Sequence, residues 1–218
     1  MYIPPLHAEY RPEALHDFME ANPFAVLVTA GTDGLFATHL PLVLHRTRGA
    51  HGALEGHIAR ANPHHKQTLI TPDALVIFSA PNAYVTPAWY PSTAEHGKVV
   101  PTWNYVAVHA YGPVTFRDDE PFLRRHLEAL VARHEEGREQ PWSMSGAPSD
   151  YIAQQLRAIV GFELPISRLE GKWKMSQNRV PADVEGVIRG LGASDAESDR
   201  AVGDIVRARW QLKNGDNI

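Results

Sequence analysis

Cysteine is absent from all 218 residues of the chain, which removes disulfides, thiol nucleophiles, iron–sulfur clusters and cysteine-based zinc sites together. A cationic excess is also missing. The 21 Lys and Arg stand against 25 Asp and Glu, a formal charge of −4, where a nucleic-acid-binding domain ordinarily shows a basic surplus. No apolar run approaches the roughly 20 residues that span a bilayer, and Met1 to Tyr10 lacks the basic start and apolar stretch of a signal peptide. A soluble, cytoplasmic protein with no membrane partner is therefore expected. No strand leads into G-x-G-x-x-G or G-x-x-x-x-G-K-[ST], and Gly190-Leu191-Gly192 reads as the end of a helix. There is no G-x-S-x-G elbow and no H-E-x-x-H pair. Any chemistry must come from His, carboxylates, Lys, Tyr or a borrowed cofactor. What the chain does have is 44% hydrophobic residues against 21% charged, enough to bury a substantial core.

Periodicity predicts a helix from Pro12 to Asn22, then a hairpin with strands over Phe24–Ala30 and Leu35–His45 around Gly31-Thr32-Asp33-Gly34. A third strand covers 52–60, a short helix starts at Asn62-Pro63 and runs through Leu69, and another strand covers 74–79. Residues 81–101, with their prolines and aromatics, read as a long irregular and functional loop. Strand returns over 102–116, and Asp118-Asp119 caps a helix with Leu123, Leu127, Leu130, Val131 and His134 on one face. A short helix at 151–156 and a last strand at 159–169 follow. The tail is helical twice, with stripes Val184, Val187, Ile188, Leu191 and then Val202, Ile205, Val206 behind Ser194 and Glu197. Strands in hairpin order with helices between and after them give an α+β protein built on an antiparallel barrel or sheet.

Four groups of residues could carry chemistry. Lys172 to Arg179 concentrates three basic residues with Ser176, Gln177, Asn178 and Trp173, a donor set suited to a phosphate dianion or to a solvated basic loop. Arg60 to Lys66 places two basic residues beside a helix start, again either an anion site or an ordinary cap. Val100 to Tyr105, after Pro87 to Tyr90, is dense in aromatics that suit a core or a planar ring system. Ala37 to Leu42 carries a proline inside an apolar strand, which marks a sheet edge or a ligand edge. His57, His64 and His65 invite a metal reading, but adjacent histidines on a polar turn are usually solvated and no carboxylate follows at ligand spacing, so no metal is expected.

Together, ATHLPL at 37–42, GHIARANP at 56–63, PAWY at 87–90, VPTWNY at 100–105, IVGFEL at 159–164 and KMSQNR at 174–179 resemble the PaiB-type FMN-binding negative transcriptional regulators. The resemblance covers nearly the whole chain. It implies a six-stranded antiparallel split β-barrel over residues 1–180, related to pyridoxamine phosphate oxidase, with peripheral helices and a C-terminal helical extension over 181–218 packed on it. It further implies a homodimer with FMN as cofactor. By position, Thr38, His39, Leu40, Pro41 and Leu42 would line the flavin ring through backbone groups with His57 close to the ring, and Arg60 and Lys66, with Asn62 beside them, would meet the phosphate. Thr102, Trp103 and Asn104 would bound the ring, and Lys174, Ser176, Gln177, Asn178 and Arg179 would close the site.

The expected function is sensing or using flavin, through a protein partner or a small molecule, and not direct DNA reading. An FMN-dependent small-molecule oxidoreductase and a haem-binding relative on the same barrel are the alternatives. For DNA, only Arg200, Arg207, Arg209 and Lys213 on the last helix are candidates, and Asp199 and Asp204 make that a solvated amphipathic face.

Overall fold

A computed structural model describes residues 1–215 as a mixed α+β chain with antiparallel sheets. In chain order the elements are β1 (Ala8–Glu9), α1 (Pro12–Ala21), β2 (Phe24–Gly31), β3 (Gly34–Pro41), β4 (Val43–His45), β5 (Ala53–Ala59), β6 (Asp73–Val85), α2 (Ser92–His96), β7 (Thr102–Pro113), β8 (Thr115–Arg117), α3 (Glu120–Glu135), α4 (Ser149–Arg157), β9 (Ile159–Pro165), β10 (Arg168–Lys174), α5 (Pro181–Gly192) and α6 (Glu197–Gly215). They fall into two compact units. The first comprises residues 1–10, 79–108 and 170 onward, the second 11–78 and 109–169. Among the described residues no helix is long and apolar enough to cross a membrane.

In the second unit β2 alternates strictly, burying Ala25, Leu27, Thr29 and Gly31, because successive side chains on a strand point to opposite faces. Its hairpin with β3 pairs Val26 with His39 and Leu27 with Thr38, and Gly34 closes the turn at φ 108°, open to glycine at little cost. On its other side β2 pairs with β6 through Leu27 and Val76. β3 therefore ends its sheet, and its outer edge meets no further strand among the described residues. A second sheet runs in the order β4, β5, β9, β8. Over it, Phe122 and Leu123 of α3 pack with Met144, Ile152 and Leu156. Asp119 caps α3 by accepting the Phe122 N–H at 3.0 Å.

In the first unit β1 pairs with β10, placing Ala8 opposite Lys172, and β10 neighbours β7, which neighbours β6. α5 buries Val184, Val187 and Leu191, and α6 buries Val202 and Val206. Ahead of α6, Ser194 Oγ accepts the Ala196 N–H and donates to Asp199, so Ser194 and Glu197 do not form the expected capping box: the helix starts at Glu197, too late for Ser194 to cap it.

Several elements differ from the sequence expectation. The strand expected to stop at Ser79 continues to Val85 despite Pro81, since Ala83 and Val85 are buried in alternation with exposed Asn82 and Tyr84. The long irregular loop shrinks accordingly and contains α2. The strand expected over 159–169 is two strands, broken where the Ile166 and Ser167 N–H groups donate to Gly52 and Tyr111 carbonyls. The helix expected from Asn62 is a single 3-10 turn, Pro63–Lys66. The buried face of α3 is Phe122, Leu123 and His126, rotated from the expected stripe, and His134 is exposed.

Candidate functional site

The second unit assembles one group of the expected residues around His64. Adjacent His64 and His65 were expected to be solvated, yet His64 is fully buried. Its Nδ1 lies 2.8 Å from Thr38 Oγ1 and its Nε2 2.8 Å from Thr29 Oγ1, while Phe36 covers the ring at 4.8 Å. Asn62 Nδ2 donates to Thr38 Oγ1 at 3.2 Å, so the Thr38 hydroxyl is free to donate to His64 Nδ1. His64 then donates from Nε2 to Thr29, and Thr29 donates to Gln67 Oε1 at 3.3 Å. The chain Asn62, Thr38, His64, Thr29, Gln67 thus runs in one donor direction through a neutral imidazole. Burial, with a smaller contribution from His65, keeps the His64 pKa below its ordinary value. Beside this network Leu40 and Leu42 are buried, Thr38 and Pro41 are half-buried, and His39 is exposed.

The basic side chains of Arg60 to Lys66 do not act from a helix terminus. A 3-10 turn of four residues is too short, and the Asn62 side chain already accepts the His64 N–H at 3.0 Å. Arg60 Nε donates to the Arg157 carbonyl at the end of α4, and one of its terminal nitrogens donates to the Ile159 carbonyl. What remains of its guanidinium borders a cavity of about 210 Å³, with His65, Phe116, Arg117, Asp118 and Val160. Lys66 is exposed, and His57 is half-buried against His126.

The first unit assembles the other group. Lys174 Nζ donates to Thr102 Oγ1 and to the Trp103 carbonyl. Burial lowers its pKa, and neighbouring Lys172 and Arg179 lower it further. Buried Asn104 donates to Ser176 Oγ at 2.9 Å. Ser176 occupies the left-handed region at φ 60°, uncommon for a residue with a Cβ, and the turn closes with the Arg179 N–H on the Ser176 carbonyl. Gln177 bridges the same turn, accepting the Met175 N–H and donating to the Trp173 carbonyl, while Asn178 is exposed. The Arg179 guanidinium stacks 4.5 Å over buried Tyr90. Trp103 and Tyr105, with residues 79–82 and Val106, line a cavity of about 290 Å³. Among the described residues no group of three or more His, Asp or Glu is placed to hold a metal.

Two residues escaped the sequence reading. His126 and Glu55 are fully buried next to His57. The signal for Glu55 was its two-residue spacing from His57 on β5. The signal for His126 was its four-residue spacing from Phe122, which also places both on one helix face.

Residues 1–168 match the family described as "Putative FMN-binding domain". The chain is 30% identical to the Protease synthase and sporulation protein PAI 2 of Bacillus subtilis, with 94% of this chain and 96% of that one covered. It is 32% identical to an uncharacterized protein of Emericella nidulans, with 98% and 99% covered. Among solved structures it is similar to the flavocytochrome Anf3 of Azotobacter vinelandii, with TM-score 0.55, 18% identity and 89% and 74% of the two chains covered. That likeness speaks for the fold alone.

Proposed function

This chain belongs to the family of FMN-binding domains matched by residues 1–168, and on that premise we propose that it binds FMN within a split-barrel fold and senses or uses the flavin without reading DNA itself. The observation that carries the reading is that β7 and its neighbour β10 hold both an apolar cavity, lined by Trp103 and Tyr105, and a cation, Lys174, which donates to Thr102 and to the Trp103 carbonyl. An FMN-type ligand needs an apolar face for its ring and cationic donors for its phosphate, and the residues present fit both needs.

The reading assigns the ring edge to the backbone of Thr38, His39, Leu40, Pro41 and Leu42, where β3 ends its sheet and leaves N–H and C=O groups unpaired by a further strand. It assigns the phosphate side to Arg60, Asn62 and Lys66, and places His57 against the ring. Thr102, Trp103, Asn104, Lys174, Ser176, Gln177, Asn178 and Arg179 are assigned to a partner protomer closing on the flavin. A homodimer is part of the proposal because Tyr84, Val100 and Trp103 are 47%, 66% and 54% exposed, apolar area that a second copy would cover. Light scattering of the flavin-loaded protein is expected to give twice the 24.2 kDa chain mass. A monomer mass overturns the dimer.

When bound, FMN supplies hydride or electron transfer, and the chain's residues bind it, orient it and shield it from water. The last helix supports the exclusion of direct DNA reading. Arg207 pairs with Asp204, Arg200 donates to the Ser194 and Asp195 carbonyls, and Arg209 pairs with buried Glu9 and packs over Trp173. The Lys213 side chain lies outside the described part.

Titration by flavin fluorescence tests the reading. FMN is expected to bind about tenfold or more tightly than riboflavin, since a charge-assisted contact contributes about 1.5–3 kcal/mol. Lys66→Ala and Lys174→Ala are each expected to weaken FMN by a similar factor. Equal affinity for FMN and riboflavin, unchanged by either substitution, overturns the assignment. The second reading, an FMN-dependent oxidoreductase, draws on the 290 Å³ cavity as space for a small molecule, and flavin-dependent turnover of a nicotinamide donor distinguishes it from a purely regulatory role.

A further inference from the structure

Glu55 and His57 are two residues apart on β5 and so point to the same face, and α3 brings His126 onto that face. His57 Nδ1 lies 3.0 Å from His126 Nε2, with the rings edge to face. On its other side His126 Nδ1 lies 3.9 Å from Glu55 Oε2 and has no hydrogen-bond partner. His126 and Glu55 are closed off from solvent, at 0% and 1% exposure. Phe122 stacks on the His126 ring. Burial works against the Glu55 carboxylate, yet Arg48 and His45 hold its pKa below the usual value, and Glu163 shares Arg48 from β9. Glu55 is therefore an anion facing His126 from inside the protein.

Two neutral imidazoles joined by one hydrogen bond hold a single proton between them, so only two arrangements exist. If His126 donates from Nε2, its Nδ1 is a bare lone pair facing a carboxylate in a low-dielectric interior, which is repulsive. If His126 carries its proton on Nδ1, the N–H dipole points toward Glu55 and Nε2 accepts from His57 Nδ1–H. The second arrangement replaces the repulsion with an attraction. It leaves His57 protonated on Nδ1 and bare on Nε2, a nitrogen that bonds none of the described residues.

We propose that Glu55 and His126 act as positioning residues that set the tautomer of His57, making its Nε2 a dedicated acceptor for an N–H or O–H donor on the bound ligand. The identity of that donor rests on the flavin reading above, in which a ring imide N–H has the required chemistry. The tautomer does not rest on it.

The test is long-range ¹H–¹⁵N correlation NMR on the full chain with ¹⁵N-labelled histidine, ligand-free and at neutral pH, with the His57 signals identified by their loss in His57→Gln. The expected result is a proton on Nδ1 and a bare Nε2 in the parent protein. Glu55→Gln can donate from its amide to His126 Nδ1, which would reverse the pair and move the His57 proton to Nε2. His126→Phe keeps the aromatic body against Phe122 and removes the acceptor, so His57 should also shift toward the Nε2–H form. A parent protein with His57 protonated on Nε2 overturns the proposal, and this reading needs no substitution at Glu55 or His126. Folded variants with unchanged His64 signals that leave His57 as Nδ1–H overturn it as well. Adding FMN should then move the His57 Nε2 signal. If FMN binds without moving it, His57 is not a ligand contact and that part of the proposal fails. If FMN does not bind at all, the flavin reading fails while the tautomer result stands.

Discussion

Acidification from pH 7 to pH 4 is expected to lower the unfolding free energy by about 3 kcal/mol through His126 alone. Burial, then the neighbouring His57, pushes this imidazole from 6.5 down to about 4, with Glu55 opposing the shift. The unfolded chain takes up a proton near pH 6.5, whereas the folded chain refuses it until about pH 4. Between those values the unfolded state binds more protons, so stability is complete above pH 6.5 and falls as the pH drops toward 4. A shift of this size corresponds to about 1.4 kcal/mol for each unit separating the two pKa values. Burial also depresses His57 and His64, which adds loss in the same direction. Urea denaturation midpoints at pH 7, 5.5 and 4 measure it. His126→Phe should flatten much of the slope. A midpoint that stays constant across this range would show that His126 is not held neutral.

A second large effect is expected where α5 meets Trp89. A Cβ on Gly186 would overlap the Trp89 carbonyl oxygen, a backbone atom that no rotamer change can move away. Gly186→Ala is therefore expected to cost about 3 kcal/mol or more, a fall of roughly 6–12 °C in Tm for a chain of this size. Gly192 closes the same helix, and a Cβ there meets nothing within 4 Å. Gly192→Ala should accordingly hold or raise Tm, since alanine is the better helix former by up to about 1 kcal/mol. If thermal melts place the two variants together, the close approach of α5 to Trp89 is wrong.

The donor-rich segments were legible because residue type alone specifies hydrogen-bonding capacity. Lys174, Ser176 and Arg179 were selected for carrying cations and donors, and the structure gathers them with Thr102 and Asn104 in the first unit. Partner choice was not legible. Nothing local told His64 from His65, yet one is buried between two threonines while the other lies half-buried beside the Arg60 cavity. Arg60 offered itself as an anion ligand, but two of its donors end on carbonyls about a hundred residues away in the chain.

By itself the sequence determined the hairpin at Gly34, the cap at Asp119, the exclusion of thiol chemistry and the family motifs, because each follows from a residue's own geometry or from a spacing of a few positions. Tertiary structure decided that β6 runs on past Pro81 to Val85, where alternate burial of Ala83 and Val85 outweighs the donor that proline lacks. It also decided the protonation of the histidines. An imidazole's pKa and tautomer depend on burial and on what faces each nitrogen, and for His126 those neighbours are Glu55 and His57, brought to it by a strand some seventy residues earlier.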